Sequence, residues 1–189
     1  LGSDATVNAT GSITLSNAGT ITGSGSTLTL AGTATGSSMA SIVGTGAGGL
    51  TKTGTGTWTL SGASTYTGAT TVSAGTLKLG ATGDATNTPL GTVGSGTTVA
   101  SGATLDLNGY TLGTAEALTL NGTGVGGTAG ALANSSGTAV TYSGLLTLGS
   151  DATVNATGSI TLSNAGTITG SGSTLTLAGT ATGSSMASI

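Results

Sequence analysis

The decapeptide LGSDATVNAT fills residues 1–10 and returns, letter for letter, at 148–157. Followed outward, the identity continues through SSMASI, so residues 1–42 and 148–189 are the same stretch displaced by 148 − 1 = 147 positions. A chain that restarts itself narrows the choice of fold. A closed barrel or sandwich has no place to begin its core again, whereas a solenoid grows by adding turns that touch mainly their neighbours. The expected organisation is one complete unit, 1–147, followed by 148–189 as the start of an identical next unit. On this reading the sequence is a window onto a longer array and opens on a repeat boundary, so no export leader is expected within it.

Short apolar pulses recur along the unit: SITLS at 12–16, STLTL at 26–30, TWTL at 57–60, TLKL at 76–79, TLDL at 104–107 and ALTL at 117–120. In each, an aliphatic residue alternates with Thr, Lys or Asp, which is the period of a half-buried strand. Threonine suits the outward positions because its β-branch favours extended backbone. Gly- and Asn-rich turns separate the pulses, as in NAGT at 17–20, GSGS at 23–26 and LNGY at 107–110. No segment shows sustained helical periodicity. The sole proline, Pro89, lies in the irregular stretch 81–91, which is expected to project as a loop. Short strands at even spacing, small side chains and exact recurrence together predict an all-β parallel β-helix, or β-solenoid. Turns of about 20–25 residues spaced about 4.8 Å apart make one unit six or seven turns and about 30 Å long.

Composition excludes several kinds of function. Of 189 residues 38 are Gly, 4% are charged, and His, Cys, Phe and Arg are absent. The two cations, Lys52 and Lys78, cannot line a groove for nucleic acid. No apolar run reaches the roughly 18 residues of a membrane-spanning helix. A net charge of only −3 and a mean hydropathy of +0.35 argue against a disordered linker.

The candidate site residues are few. Acid–base chemistry could draw on Asp4, Asp84, Asp106 and Glu116, but glycoside cleavage needs two carboxylates about 5–9.5 Å apart. Asp106 alternates with Leu105 and Leu107 and is expected to face solvent, and the other acids are likewise expected to be solvated surface charges. The run GVGGTAG at 124–130 lacks the recurrent Asp of calcium-binding solenoids, and without His or Cys no zinc site is expected. Glycine strings such as GTGAGG at 44–49 lack the lysine and helix of a phosphate loop. Trp58, Tyr66, Tyr110 and Tyr142 could stack on sugar, although Trp58 and Tyr66 are better read as packing beside a turn. Thr-x-Thr pairs at Thr20/Thr22, Thr27/Thr29, Thr51/Thr53 and Thr57/Thr59 could bind ice were they evenly spaced, and along the chain they are not. Asn8, Asn121 and Asn134 stand in Asn-x-Ser/Thr sequons. No catalytic, cofactor or metal residue is expected.

The stretch from Gly48 to Gly80, GGLTKTGTGTWTLSGASTYTGATTVSAGTLKLG, resembles the passenger-associated repeat of bacterial autotransporters. The residues that carry the resemblance are Leu50, Lys52, Gly54, Trp58, Leu60, Gly62, Tyr66, Gly68, Thr71, Val72, Gly75, Leu77 and Leu79. The resemblance implies a right-handed parallel β-helix, exported and displayed outside a Gram-negative-type outer membrane. It implies a structural stalk segment and transfers no catalytic residue. The function expected is that of an extracellular fibre or stalk within a giant, adhesin-like surface protein. Its partners would be neighbouring identical repeats along the axis, with other fibres or surface glycans beyond them. A solenoid that binds glycan or ice, or a filament of separately stacked subunits, is the alternative.

Overall fold

Leu-Thr-Leu triplets bury two side chains and expose one when extended, so each must lay an apolar edge against something. In the computed structural model, which describes residues 1–187, they lie against copies of themselves. Ser188 and Ile189, the last two residues of the second copy of the repeat, lie outside the described residues. The described chain winds as a parallel β-solenoid of about eight turns.

The strands fall on three faces in chain order, the third carrying paired strands only toward the two ends of the described residues. The first face stacks Ala5–Ala9, Leu28–Gly32, Leu50–Lys52, Thr70–Val72, Thr97–Val99, Leu118–Gly122 and the opening residues of the long strand Leu146–Ala156. The second stacks Thr14–Leu15, Ser37–Met39, Thr57–Leu60, Gly75–Leu79, Ala103–Asp106, Leu132–Asn134, the closing residues of Leu146–Ala156, and Leu175–Gly179. The third includes Thr20–Thr22 on Ile42–Gly44 near one end, and Val140–Tyr142, Ile160–Leu162 and Ser185–Met186 near the other. Partner residues on the first face are 20 to 28 positions apart, from Leu50↔Thr70 to Leu118↔Leu146, and a bulge then widens the step to 30 at Gly122↔Ala152. This range is wider than the sequence reading allowed.

Inside, the parallel register aligns like side chains into columns. Trp58, Leu77, Leu105, Leu132 and Val154 follow one another beneath the second face, all buried. Burying each such side chain contributes about 1.5–3 kcal/mol, and a covering turn is needed to realise it. One residue of the repeat shows this directly. Leu30 is 0% exposed beneath the turn that carries Lys52, whereas its equivalent Leu177 is 56% exposed. Corners need close backbone approach. Gly54 turns there with φ +68°, and a Cβ on it would stand 2.4 Å from the Gly32 carbonyl oxygen.

Two segments leave the regular wall. In the irregular stretch at 81–91, Asp84, Ala85 and Thr86 are exposed, while Thr88, Pro89, Leu90 and Gly91 are buried and Leu90 joins the core. Asp84 Oδ1 accepts the Thr86 and Asn87 amides at 2.7 Å each, and these bonds hold its carboxyl below the usual range. The glycine run at 124–130 forms a single 3₁₀ turn, Val125–Gly127, beside the second face. The Val125 amide there donates to the Thr104 hydroxyl, which donates to the Gly130 carbonyl.

The two copies of ATVNA take different places in this wall. As residues 5–9 the pentapeptide lies on the first face, paired with Leu28–Gly32. As residues 152–156 it lies on the second, paired with 132–134 and 175–179.

Candidate functional surface

Parallel register turns one outward position per strand into a column. On the first face that position is Thr6, Thr29, Thr51, Thr71, Thr98, Thr119, Thr147 and Thr169 in successive turns. Eight threonines therefore stand one above another at a spacing of about 4.8 Å. The last two hydroxyls are 3.4 Å apart. Residues flanking each threonine two positions away also point outward, and they are mostly small: Gly49, Ala69, Gly96 and Ala117 on one side, Ala31, Ser73 and Ala100 on the other. The result is a continuous line of hydroxyl and methyl groups, with Thr27, Thr53, Asn121 and the exposed Leu145 also standing at its flanks. Only Thr29 and Thr51 of the pairs singled out in the sequence belong to it. The unequal lengths of the turns conceal an even column in the linear sequence.

The aromatic side chains do not make a sugar-stacking surface. Trp58, Tyr66 and Tyr142 are buried in the core, and Tyr110 packs partly buried against it. Trp58 Nε1 donates to the Ala31 carbonyl at 3.0 Å. Among the sequons, Asn134 is buried: its amide donates to the Thr138 and Gly158 carbonyls and accepts the Gly109 amide. Asn121 donates to the Val99 carbonyl, and Asn8 is exposed.

The four candidate carboxylates fall in separate places. Asp4 and Asp84 are exposed, as expected. Asp106 and Glu116 correct the expectation of solvated charge. Asp106 does point outward, yet it is 4% exposed because the next turn covers it. Its Oδ1 accepts the amides of Asn108 (2.9 Å) and Ser135 (3.0 Å), and its Oδ2 accepts the Ser135 hydroxyl at 2.6 Å. Lys78, one turn below, lies 3.3 Å from Oδ2 and donates to the Ser135 hydroxyl at 3.1 Å. This Lys–Asp–Ser group clamps three turns together, and Asp106 and Ser135 line a shallow hollow of about 230 Å3 with Thr76, Asn155 and Thr157. The Ser135 proton is engaged by the carboxylate, and the ammonium is paired with the same carboxylate, so neither is poised as nucleophile or base.

Glu116 is interior, 1% exposed. Its Oε1 accepts the Thr97 hydroxyl at 3.0 Å, and its Oε2 has no hydrogen-bond partner. Burial pushes the carboxyl up to about 7, against the Thr97 bond, which favours the ionised form. The Tyr142 hydroxyl donates to the Glu116 carbonyl at 2.6 Å. A neighbouring pair continues this polar seam. The Thr70 hydroxyl donates to the Leu90 carbonyl at 2.9 Å, so its 2.6 Å contact with Tyr66 is donated by the phenol. Burial raises both tyrosine hydroxyls well above the usual range.

Lys52 is the second inward-pointing charged residue, at 0% exposure, in the column between Leu30 and Val72. Its ammonium donates to the carbonyls of Thr53, Gly54 and Ala74 at 2.7, 2.8 and 3.1 Å. Burial lowers it to about 8, which leaves it a cation at neutral pH. Sequence parity carried the signal for both interior charges. Lys52 shares a phase with Leu50, and Glu116 with Leu118 and Leu120.

Among the described residues no group of three or more His, Cys, Asp or Glu could hold a metal ion. No helix among them is long and apolar enough to cross a membrane.

The residues quoted for the autotransporter resemblance form the inner lining of one full turn and part of the next. Leu50, Lys52, Trp58, Leu60, Tyr66, Val72, Leu77 and Leu79 all point inward and are buried, and Thr71 stands in the outer column. Comparison with curated proteins and with solved structures found no match to this chain. Residues 50–79 match the family model of the passenger-associated-transport-repeat, and this stretch of the solenoid is a passenger-type repeat.

Proposed function

We propose that the chain is a segment of a long extracellular stalk, a passenger that gives a bacterial surface protein length and stiffness. The observation that supports this most directly is the continuity of the wall through the repeat boundary. Thr147 and Leu148 lie within one strand, Leu146–Ala156, so the second copy is laid onto the first along a single strand, with a bulge just past the boundary where the pairing moves from Leu120↔Leu148 to Gly122↔Ala152. Each turn satisfies its backbone groups on the turns above and below, as in stacked cross-β structure. The buried acids and cation serve that wall: each binds across turns or closes a corner, and none forms a reactive pair. The chain is accordingly read as a structural element and not an enzyme. Its partners are neighbouring repeats on the axis.

The test is the mass of the intact polypeptide, denatured and recovered from the surface of its source cells. The expected result is a single covalent chain many times the 17.2 kDa of this segment, rich in the peptide that spans Thr147–Leu148. A mass near one segment would mean stacked subunits instead.

The threonine column favours a second reading, a strip that binds an ordered lattice such as ice. Measured thermal hysteresis in the purified chain, abolished by Thr98→Tyr and Thr119→Tyr in the middle of the column, would establish it. Absence of hysteresis from the folded chain would remove it.

A further inference from the structure

The displacement of ATVNA from first to second face belongs to the whole repeat. LTLAG lies on the first face as Leu28–Gly32 and on the second as Leu175–Gly179. ITL lies on the second face at its first occurrence, where Thr14–Leu15 pairs with Ser37–Met39, and on the third as Ile160–Leu162. Ser38 and Met39 are likewise on the second face, and their equivalents Ser185 and Met186 are on the third. Thr22, on the third face, becomes Thr169, which pairs with Thr147 on the first. Among the described residues, each paired element of the second copy therefore stands one face further on. Residues 5–9 open the first turn and residues 152–156 take the second face of the seventh, so one unit occupies six turns and one third. Three consecutive units then return to the starting face.

The threonine column makes the consequence visible. Thr6 and Thr29 stand in it on the first face, but their equivalents Thr153 and Thr176 lie on the second, paired with each other. We infer that successive units in a tandem array are related by a screw of one third of a revolution and about 30 Å, which displays each surface feature in three directions. This rests on the array proposed above. The threonine column becomes a staircase in which each flight of eight rungs, about 34 Å long, gives way to the next on the adjacent face. A partner of this surface spans one flight and meets the stalk from three sides. A broad planar partner finds the same flight only at every third unit.

The register is tested in the 189-residue chain itself, which contains no cysteine. Thr141 and Thr161 are outward neighbours on the third face. An unshifted second copy would instead place Thr161 over Ala133 on the second. The double variants T141C/T161C and A133C/T161C are treated with a bimane reagent that fluoresces when it bridges two adjacent thiols. T14C/S38C, neighbours within the first copy, is the stacking control. Bridging in T141C/T161C and the control, with none in A133C/T161C, is expected. Bridging in A133C/T161C instead overturns the one-face advance. So does bridging in the control alone, because the second copy would then be docked in neither register. The outcome does not depend on how many units the natural protein holds, so failure of the array reading would appear only in the mass of the intact chain.

Discussion

The Thr97 hydroxyl donates to Glu116 across adjacent turns, and this 3.0 Å bond is the one hydrogen bond that the carboxyl group, sealed inside the solenoid, makes among the described residues. The folded-state value near 7 lies above the ordinary 4.5, so between these pH values the folded chain keeps a proton that the unfolded chain has released. The contribution of this group is therefore full below pH 4.5 and lost as pH rises through about 7. Glu116→Gln keeps a neutral polar group and removes that loss. Relative to the variant, the wild type should lose on the order of 2–3 kcal/mol between pH 4.5 and 8. Urea midpoints followed by Trp58 fluorescence measure the difference. A gap between the two proteins that is constant with pH would sink the assignment.

Lys52 and Lys78 make a natural contrast. Lys52→Met should cost about 2–4 kcal/mol, because three corner carbonyls lose their donor inside the protein. Lys78→Met, at the partly exposed clamp, should cost less than about 1 kcal/mol. The lowered Lys52 value adds a pH signature. The unfolded chain binds the extra proton between about pH 8 and 10.5, so wild-type stability relative to Lys52→Met should rise across that range. Paired denaturation curves at pH 7 and 10 check both statements.

Substitution of Gly54 should be among the most damaging single-methyl changes in the chain. Gly54→Ala places a Cβ in left-handed backbone and 2.4 Å from the Gly32 carbonyl oxygen, so the two turns must separate. A loss of at least about 2 kcal/mol is expected. Gly137→Ala meets no atom within 4 Å and should stay within about 0.5 kcal/mol of wild type. Thermal unfolding of the two variants side by side decides the point, and equal melting temperatures would contradict it.

Asp106→Ala should destabilise by about 2–4 kcal/mol, since it strands the amides of Asn108 and Ser135 beneath a covering turn. Asp84→Ala, on the exposed part of the loop, should cost about 1 kcal/mol or less. Amide exchange gives a local readout: the Ser135 amide should lose protection in the first variant and keep it in the second.

The wall of the solenoid was legible because period-two alternation is a local property, and Leu77, Leu79, Leu118 and Leu120 point where it says. The charges were harder. Asp106 has the outward phase its neighbours dictate, yet what buries it is Ser135, from the next turn, and no local pattern names a neighbour 29 positions away. Lys52 and Glu116 share the phase of adjacent leucines, so their burial was written in the sequence, but the habit of placing charge outside overrode it. The threonine column was invisible for a different reason. Its spacing is constant along the axis and uneven along the chain, because short and long turns rise by the same amount. The one-face advance was hidden likewise, since the length of the repeat fixes no fraction of a turn until each turn's own length is known.

In the tandem array proposed above, a unit of six turns and one third also bears on how such a protein changes over generations. Identical tandem units invite unequal recombination, and each exchange inserts or deletes whole units without disturbing the strand at Thr147–Leu148. Gain of one unit moves everything beyond it outward by about 30 Å and swings it through a third of a circle. A tip that must keep its orientation tolerates only changes in threes, whereas a tip indifferent to orientation can have its reach retuned one copy at a time.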